Sequence, residues 1–113
     1  MHELSIAKEI IAIVTAETEK KRLGRVETIH LRIGALSGVD PEALSFGFEA
    51  ATLDTPLEGT RLVIEPVPVR ATCRACGREF AVEDLVFLCP GCRSVDVDVT
   101  QGQEMQIDHL VVE

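Results

Sequence analysis

Aromatic side chains are scarce in this chain, which has no Trp, no Tyr and only four Phe among its 113 residues. Proteins that bind single-stranded nucleic acid stack the bases on such side chains, so that class of surface is nearly absent. Basic residues are also few, since 11 Lys and Arg face 19 Asp and Glu for a formal net charge of −8. Nucleic-acid backbones and anionic membranes attract clusters of Lys and Arg. We therefore expect neither nucleic acid nor a membrane as a partner.

Long hydrophobic runs are missing too, because no segment approaches the roughly 20 apolar residues that a membrane helix needs. The first five residues, Met-His-Glu-Leu-Ser, show neither a cationic region before an apolar run nor a cleavage site. We expect a cytoplasmic protein, whose thiols stay reduced. Hydrophobic residues make up 46% of the chain, which is typical of a sequence that folds. Its length suits one compact domain, or a small core with an additional subdomain that is held together by cross-links.

Hydrophobic periodicity predicts a helix followed by a strand in the first third of the chain. Residues 4–22 place apolar side chains on one broad stripe, and Gly24 suits the end of the helix. Residues 26–33 alternate between apolar and polar side chains, as in a half-buried strand that Gly34 closes. His30 lies on the polar face of this strand, so we interpret it as a surface residue rather than a metal ligand.

A second helix is predicted after a short loop. Asp40 suits its N-cap and Pro41 its first helical position. We expect the helix to end near Leu53 and both of its phenylalanines, Phe46 and Phe48, to belong to the core.

The second extended stretch, residues 62–69, contains two prolines that cannot donate to a sheet ladder. It should therefore be an edge strand or leave the sheet as it proceeds. Residues 102–112 are long enough for one further strand, which must pair with an earlier one. The simplest arrangement returns this strand to the first sheet, so that residues 70–98 form an insertion.

The insertion contains two Cys-x-x-Cys pairs, Cys73 with Cys76 and Cys89 with Cys92, separated by the twelve residues 77–88. Such a turn lets both thiolates reach one ion, and four thiolates form the closed tetrahedral shell typical of structural zinc. A zinc ion supplies about 10–16 kcal/mol of apparent binding free energy to modules of this size. We therefore expect one structural Zn²⁺ per chain.

Three other uses of the cysteines are weaker. A thioredoxin-like redox pair needs one Cys-x-x-Cys at a helix N-terminus, and rubredoxin-like iron is usually packed among aromatic residues. A nucleic-acid-binding ribbon would use the arginines of this segment, but these face three carboxylates between residues 70 and 93. We interpret the positive charges of these arginines as offsetting the negative charge of the thiolates. The arginines are Arg70, Arg74, Arg78 and Arg93.

The first residues place several nitrogen ligands on consecutive bonds. The Met1 amine and the His2 amide nitrogen can close a five-membered chelate ring, and that amide with the imidazole Nδ1 of His2 closes a six-membered ring. The Glu3 amide can supply a fourth nitrogen. Four nitrogens in a plane suit Ni(II) or Cu(II). By spacing alone, however, these residues also fit a polar chain end that binds nothing.

Several motifs occur together in an order that resembles the HypA/HybF family of nickel metallochaperones, which serve the maturation of [NiFe]-hydrogenases. The resemblance runs over essentially the whole chain and rests on Met1-His2-Glu3-Leu4-Ser5, Gly34…Ser37-Gly38, Phe46-Gly47-Phe48-Glu49 and the two cysteine pairs. It implies an α+β fold with two helices on a small three-stranded sheet and an inserted zinc-ribbon-like domain of short β-hairpins. We expect residues 1–69 and 99–113 to form a discontinuous nickel-binding domain and residues 70–98 the inserted zinc-binding domain with its four cysteines.

The resemblance also implies the function. His2 would be the essential Ni²⁺ ligand, with the Met1 amine and the His2 and Glu3 amides completing the site, while the four cysteines would hold Zn²⁺. The chain would be a carrier rather than an enzyme, and a monomer or weak homodimer. It would pass nickel, with a partner maturation GTPase, to the precursor of the hydrogenase large subunit, and urease is a further possible recipient. The alternative is a zinc-ribbon interaction or regulatory protein without nickel transfer.

Overall fold

The computed structural model describes residues 2–113, and Met1 and the side chain of His2 lie outside that description. Two helices and six strands follow one another along the chain: α1 His2–Lys21, β1 Val26–Gly34, α2 Pro41–Ala51, β2 Arg61–Val67, β3 Arg70–Cys73, β4 Glu79–Ala81, β5 Val97–Gln101 and β6 Met105–Val112. They belong to two compact units. The first comprises the chain up to Arg32 with Val39–Glu65 and Gln106–Glu113, and the second comprises Ile33–Gly38 and Pro66–Met105.

The helix α1 contributes one apolar face to the core of the first unit. Its buried residues are Ile6, Ala7, Ile10 and Val14, as the periodicity predicts. The helix ends at Lys21, next to the predicted end, and Arg22 adopts the left-handed backbone conformation with φ 51°. Gly24 serves another purpose, since a Cβ there would lie 3.1 Å from the carbonyl oxygen of Glu113. Neither described helix combines the length and the apolar character that a bilayer crossing requires.

The start of α2 follows the prediction closely. Asp40 Oδ1 accepts hydrogen bonds from the backbone N–H groups of Glu42 and Ala43, at 3.0 and 3.4 Å. These are two of the N–H groups that have no partner within the helix. Pro41 occupies the first helical turn, where the missing N–H of proline costs nothing.

The two phenylalanines of α2 have different environments. Phe48 is 2% exposed and belongs to the core, whereas Phe46 is 75% exposed, so the expectation that both are buried is wrong for Phe46. Residues two apart on a helix point about 200° apart around its axis, and one helix face cannot bury both. The helix ends at Ala51 with Thr52 as its C-cap, slightly before the predicted end.

The first sheet has the strand order β2-β1-β6. The strand β1 is central, with Ile29 and Leu31 buried and His30 half-buried on the opposite face. The strand β2 lies at an edge, which is the position that Pro66 requires. The last strand pairs with β1, so the prediction that the end of the chain completes the first sheet is confirmed.

The second sheet has the order β4-β3-β5, and both pairs are antiparallel. The sequence between the two cysteine pairs predicts short strands at residues 78–82 and 85–88 but gives no sign of β5. The first of these strands is confirmed as β4, whereas the structure has no strand at residues 85–88, where Asp84 and Leu85 have φ 52° and 59°. A small core lies beneath this sheet and consists of Ala71, Cys73, Phe80 and Cys89. With two cysteines among its four buried residues, this core is too small to stabilise the sheet without further bonds.

Candidate metal centres

The first cysteine pair lies on a tight turn after β3. The backbone N–H of Cys76 donates to Cys73 Sγ at 3.4 Å, and the N–H of Gly77 donates to the carbonyl oxygen of Cys73 at 2.8 Å. Gly77 has φ 80°, a conformation that glycine adopts without steric cost. The N–H of Cys73 donates to the carbonyl oxygen of Arg78 and closes the turn at 2.8 Å. The turn thus aims both sulfurs to one side.

The second pair repeats this geometry. The N–H of Cys92 donates to Cys89 Sγ at 3.5 Å, and the N–H of Arg93 donates to the carbonyl oxygen of Cys89 at 2.9 Å. Arg93 adopts φ 63° at the position that glycine occupies in the first turn. Gly91, the residue before Cys92, does not have a positive φ, so the conformational freedom of glycine is not what this position requires. A Cβ on Gly91 would instead lie 3.0 Å from Nη1 of Arg78.

The two turns bring the four sulfurs together. Cys73 Sγ lies 3.5 Å from Cys92 Sγ, and Cys76 Sγ lies 3.6 Å from Cys89 Sγ. All four sulfurs lie within 4.8 Å of one another. A tetrahedral ion with metal–sulfur bonds of about 2.3 Å needs sulfurs about 3.8 Å apart, so the cluster fits such an ion. This is the one group of three or more metal-ligating side chains among residues 3–113.

The surroundings of the cysteines shift the pKa values of their thiols in different directions. The backbone N–H of Cys92, above all, lowers the pKa of Cys89 to about 6. The N–H of Cys76 lowers the pKa of Cys73 in the same way. The pKa of Cys92 is lowered by a backbone hydrogen bond at Ser94, but the Cys73 sulfur, burial and the other cysteines raise it further, to about 11. Without a metal, at about pH 7.5 the cluster therefore holds the Cys89 thiolate beside the Cys92 thiol.

The role expected for Arg74 has to be corrected. Its guanidinium nitrogens lie 3.2 Å from Asp96 Oδ1 and 3.2 Å from Asp98 Oδ1, so its charge is neutralised by carboxylates rather than by the thiolates. Asp96 lies next to the strand β5 and Asp98 lies within it. The charges compared in the sequence were those of residues 70–93, so these two carboxylates were not included.

The amino-terminal ligands predicted for nickel lie partly outside the described residues. This applies to Met1 and to the imidazole of His2. Glu3 is described, and its carboxylate Oε2 accepts a hydrogen bond from the backbone N–H of Asp40 at 3.2 Å. The helix α1 begins at His2, so His2 and Glu3 belong to its first turn.

A pair of histidines escaped the sequence interpretation. The rings of His30 on β1 and His109 on β6 stack with their centroids 4.1 Å apart and their planes 15° apart. Asp108 Oδ2 lies 2.7 Å from Nδ1 of His109. The sequence did contain a sign of this pair, since His30 lies on the polar face of β1 and Asp108-His109 lies in a strand that was expected to join the same sheet. The register between the two strands, however, cannot be read from the sequence.

Comparison with known families places the chain clearly. Residues 1–112 match the family model described as "Hydrogenase/urease nickel incorporation, metallochaperone, hypA". The hydrogenase maturation factor HypA of Geobacter metallireducens is 46% identical over 114 residues, covering 100% of both chains. The factor of the same name from a Picosynechococcus species is 42% identical, covering 99% of each chain.

Two solved structures have the same fold. The solution structure of the Ni metallochaperone HypA from Helicobacter pylori matches with a TM-score of 0.67 and 26% identity, over 97% of this chain and 96% of that one. A second, described as the solution structure of HypA protein, matches with a TM-score of 0.74 and 27% identity, over 100% and 97% of the two chains. With two helices, two three-stranded sheets, a four-cysteine cluster and a family match over residues 1–112, the chain belongs to the HypA family of nickel metallochaperones for hydrogenase maturation.

Proposed function

We propose that the chain carries Ni²⁺ at its amino terminus and that its four cysteines hold a structural Zn²⁺. The observation that carries the proposal is the family match over residues 1–112, combined with a Met-His-Glu sequence at the start of α1. The amide nitrogens of His2 and Glu3, once deprotonated, supply two of the four ligands. The Met1 amine and the His2 imidazole complete a planar set of nitrogens that suits Ni²⁺.

The two sites suit different tasks. Four thiolates enclose an ion in a tetrahedral shell without an open position, which favours retention and folding of the second unit. A chelate at a chain end can exchange its nitrogens one at a time for those of a recipient. Because the amine and the imidazole must be deprotonated to bind, acid releases the nickel. On the domain boundaries expected from the sequence, nickel binds the domain of residues 1–69 and 99–113, and zinc binds the insertion of residues 70–98.

The partners follow from the task. The chain is a non-enzymatic carrier that passes nickel, with a maturation GTPase, to the precursor of the hydrogenase large subunit in the cytoplasm; the family description also includes urease as a recipient. Copper binds nitrogen ligands more strongly than nickel, so nickel selectivity has to come from metal supply and from these partners.

Calorimetric nickel titration of the untagged, zinc-loaded protein tests the amino-terminal site. One tightly bound nickel per chain should be lost both in His2→Ala and in a variant extended by residues before Met1, while metal analysis shows zinc unchanged. Glu3→Gln is the matched control, because it keeps the amide nitrogen and should keep the nickel. Unchanged tight binding in both altered variants contradicts the carrier mechanism and favours a zinc-ribbon interaction protein.

Treatment of the zinc-loaded protein with a strong chelator tests the second site. Removal of one zinc per chain should destabilise residues 70–98, so that their amide hydrogens exchange faster in NMR experiments, and should leave the exchange of the α1 amides unchanged. A chain that retains no zinc after purification, or whose ribbon amides exchange equally fast with and without zinc, contradicts the structural role.

A further inference from the structure

Two of the three histidines of the chain meet on the first sheet, although no sequence pattern links them. His30 is half-buried on the face of β1 opposite the buried residues Ile29 and Leu31, and the His109 side chain is 52% exposed. Both rings are therefore accessible from solvent. No hydrogen bond to the His30 ring occurs within the described part of the chain, so its ring nitrogens are open to a ligand.

The carboxylate of Asp108 defines the state of the His109 ring. A carboxylate accepts hydrogen bonds, so the contact of 2.7 Å between Asp108 Oδ2 and Nδ1 of His109 requires that this nitrogen carries the proton. In the neutral ring, Nε2 then has a free lone pair. Metal-binding histidines usually donate their other N–H to a carboxylate, which fixes the orientation of the ring. Asp108 gives His109 this arrangement.

The stacking brings a second imidazole to the same place. With the ring centroids 4.1 Å apart and the planes only 15° apart, the lone pairs of the two rings lie in nearly parallel planes. An ion bound by two imidazoles at about 2.1 Å with a right angle between the bonds needs nitrogens about 3.0 Å apart. Since these lone pairs do not converge while the rings are stacked, binding of one ion requires the His30 ring to rotate out of the stack.

The charge around the pair favours a cation. The chain has a net charge of −8, and Asp108 lies next to the rings. The cation on the same face of β1 is Arg32, whose Nε lies 3.0 Å from Glu65 Oε2 in an ion pair. On the other side of His30 along that face lies Thr28, which has no charge.

From these contacts we infer a third metal site, in which His30 and His109 bind a divalent transition-metal ion and Asp108 positions His109. Imidazole selects Ni²⁺, Cu²⁺ or Zn²⁺ over the oxygen-seeking Mg²⁺ and Ca²⁺. With two protein nitrogens and the remaining positions filled by water, the site exchanges its ion readily and binds Cu²⁺ more tightly than Ni²⁺. The site does not depend on the proposed amino-terminal chelate.

The test uses the zinc-loaded full chain extended before Met1 and carrying His2→Ala, so that the amino-terminal chelate cannot contribute. Calorimetric titration with NiCl₂ or CuCl₂ should show one ion per chain, and Cu²⁺ should broaden the NMR signals of residues 28–32 and 107–111. His30→Phe and His109→Phe keep a ring for stacking but remove the nitrogens, so each should abolish the binding. Asp108→Asn should weaken it by about tenfold.

Thr28→Ala on the same face is the control and should bind as the parent does. MgCl₂ should give no binding. The inference is overturned by absence of binding in the parent, by binding that survives both Phe variants, or by broadening confined to other residues.

Discussion

The carboxylate of Glu3 accepts a hydrogen bond from the backbone N–H of Asp40, which lies 37 positions further along the chain. Asp40 is at the same time the N-cap of α2. The third residue of the chain is thereby attached to the start of the second helix, and the side chain of Glu3 has a structural contact of its own. This separates the carboxylate of Glu3 from its amide nitrogen, which is the proposed nickel ligand.

Glu3→Ala should weaken this attachment. We expect the amide of Asp40 to exchange its hydrogen faster in NMR experiments and the free energy of unfolding to fall by about 0.5–1.5 kcal/mol. Glu3→Gln retains an oxygen that accepts a hydrogen bond and should preserve the protection of Asp40. Equal exchange at Asp40 in the wild type and in Glu3→Ala would show that the contact does not persist in solution.

Replacement of Phe48 should be far more damaging than replacement of Phe46. The first side chain is 2% exposed and the second 75% exposed. Phe48→Ala should lower the free energy of unfolding by about 3–5 kcal/mol, because it leaves a cavity in the core. Phe46→Ala should change it by less than about 0.5 kcal/mol, as expected for a surface position. Urea denaturation measures both, and similar losses in the two variants would contradict the burial of Phe48 alone.

Glycine is required at position 34 because there is no room for a side chain, and not because the backbone there has a positive φ. A Cβ at this position would lie 2.0 Å from the carbonyl oxygen of Gly102 and 2.6 Å from the backbone nitrogen of Gln103. Because these atoms belong to the backbone, Gly34→Ala should lower the free energy of unfolding by about 2–3 kcal/mol.

Gly38 provides the matched control for that substitution. It has φ 78° and nothing within 4 Å of an added Cβ. Gly38→Ala should cost about 1–2 kcal/mol through its backbone alone. Gly38→Asn should be close to the wild type, since Asn tolerates the left-handed region, whereas Gly34→Asn should be as damaging as Gly34→Ala. Stability of Gly34→Ala equal to the wild type in urea denaturation would exclude the close backbone approach.

The cysteine cluster should release protons unequally when it binds zinc. The pKa of Cys89 is lowered to about 6, so this residue is already a thiolate at about pH 7.5 in the folded, metal-free chain. The pKa of Cys92 is raised to about 11, so this residue is a thiol that must lose a proton. Zinc calorimetry in buffers of different ionisation enthalpy counts the protons. Cys92→Ser should reduce the number released by about one relative to Cys89→Ser.

The same pKa of Cys89 predicts how the metal-free fold responds to acid. A thiol whose pKa falls from 9.0 to about 6 on folding adds stability that is complete above pH 9 and is lost as the pH falls through 6. Urea denaturation of the chelated protein between about pH 6 and pH 9 should show stability rising with pH, and Cys89→Ser should reduce that slope, leaving the smaller part that the lowered pKa of Cys73 contributes. Two results together would contradict these predictions. If Cys89→Ser and Cys92→Ser released equal numbers of protons on zinc binding, and the stability of the chelated protein did not change with pH, the metal-free ribbon would be unfolded.

Most of what the sequence predicts correctly comes from the spacing of residues that are close together in the chain. The cysteine turns are complete within about six residues each, so Cys73 with Cys76 and Cys89 with Cys92 reveal the four-cysteine site directly. Asp40 followed by Pro41 indicates the start of α2 for the same reason, because an N-cap acts on residues within one helical turn. Alternating side chains showed β1, and the prolines placed β2 at an edge.

Only the tertiary structure decided the contacts between residues far apart in the chain. Whether His30 meets His109 depends on the register of two strands, and a shift of one residue would turn one ring to the other face of the sheet. The hydrogen bond between Glu3 and Asp40 likewise depends on how α1 and α2 pack. The exposure of Phe46 follows from the direction in which α2 turns its buried face. Composition and periodicity therefore determine the elements and the cysteine site, while packing decides which distant side chains become neighbours.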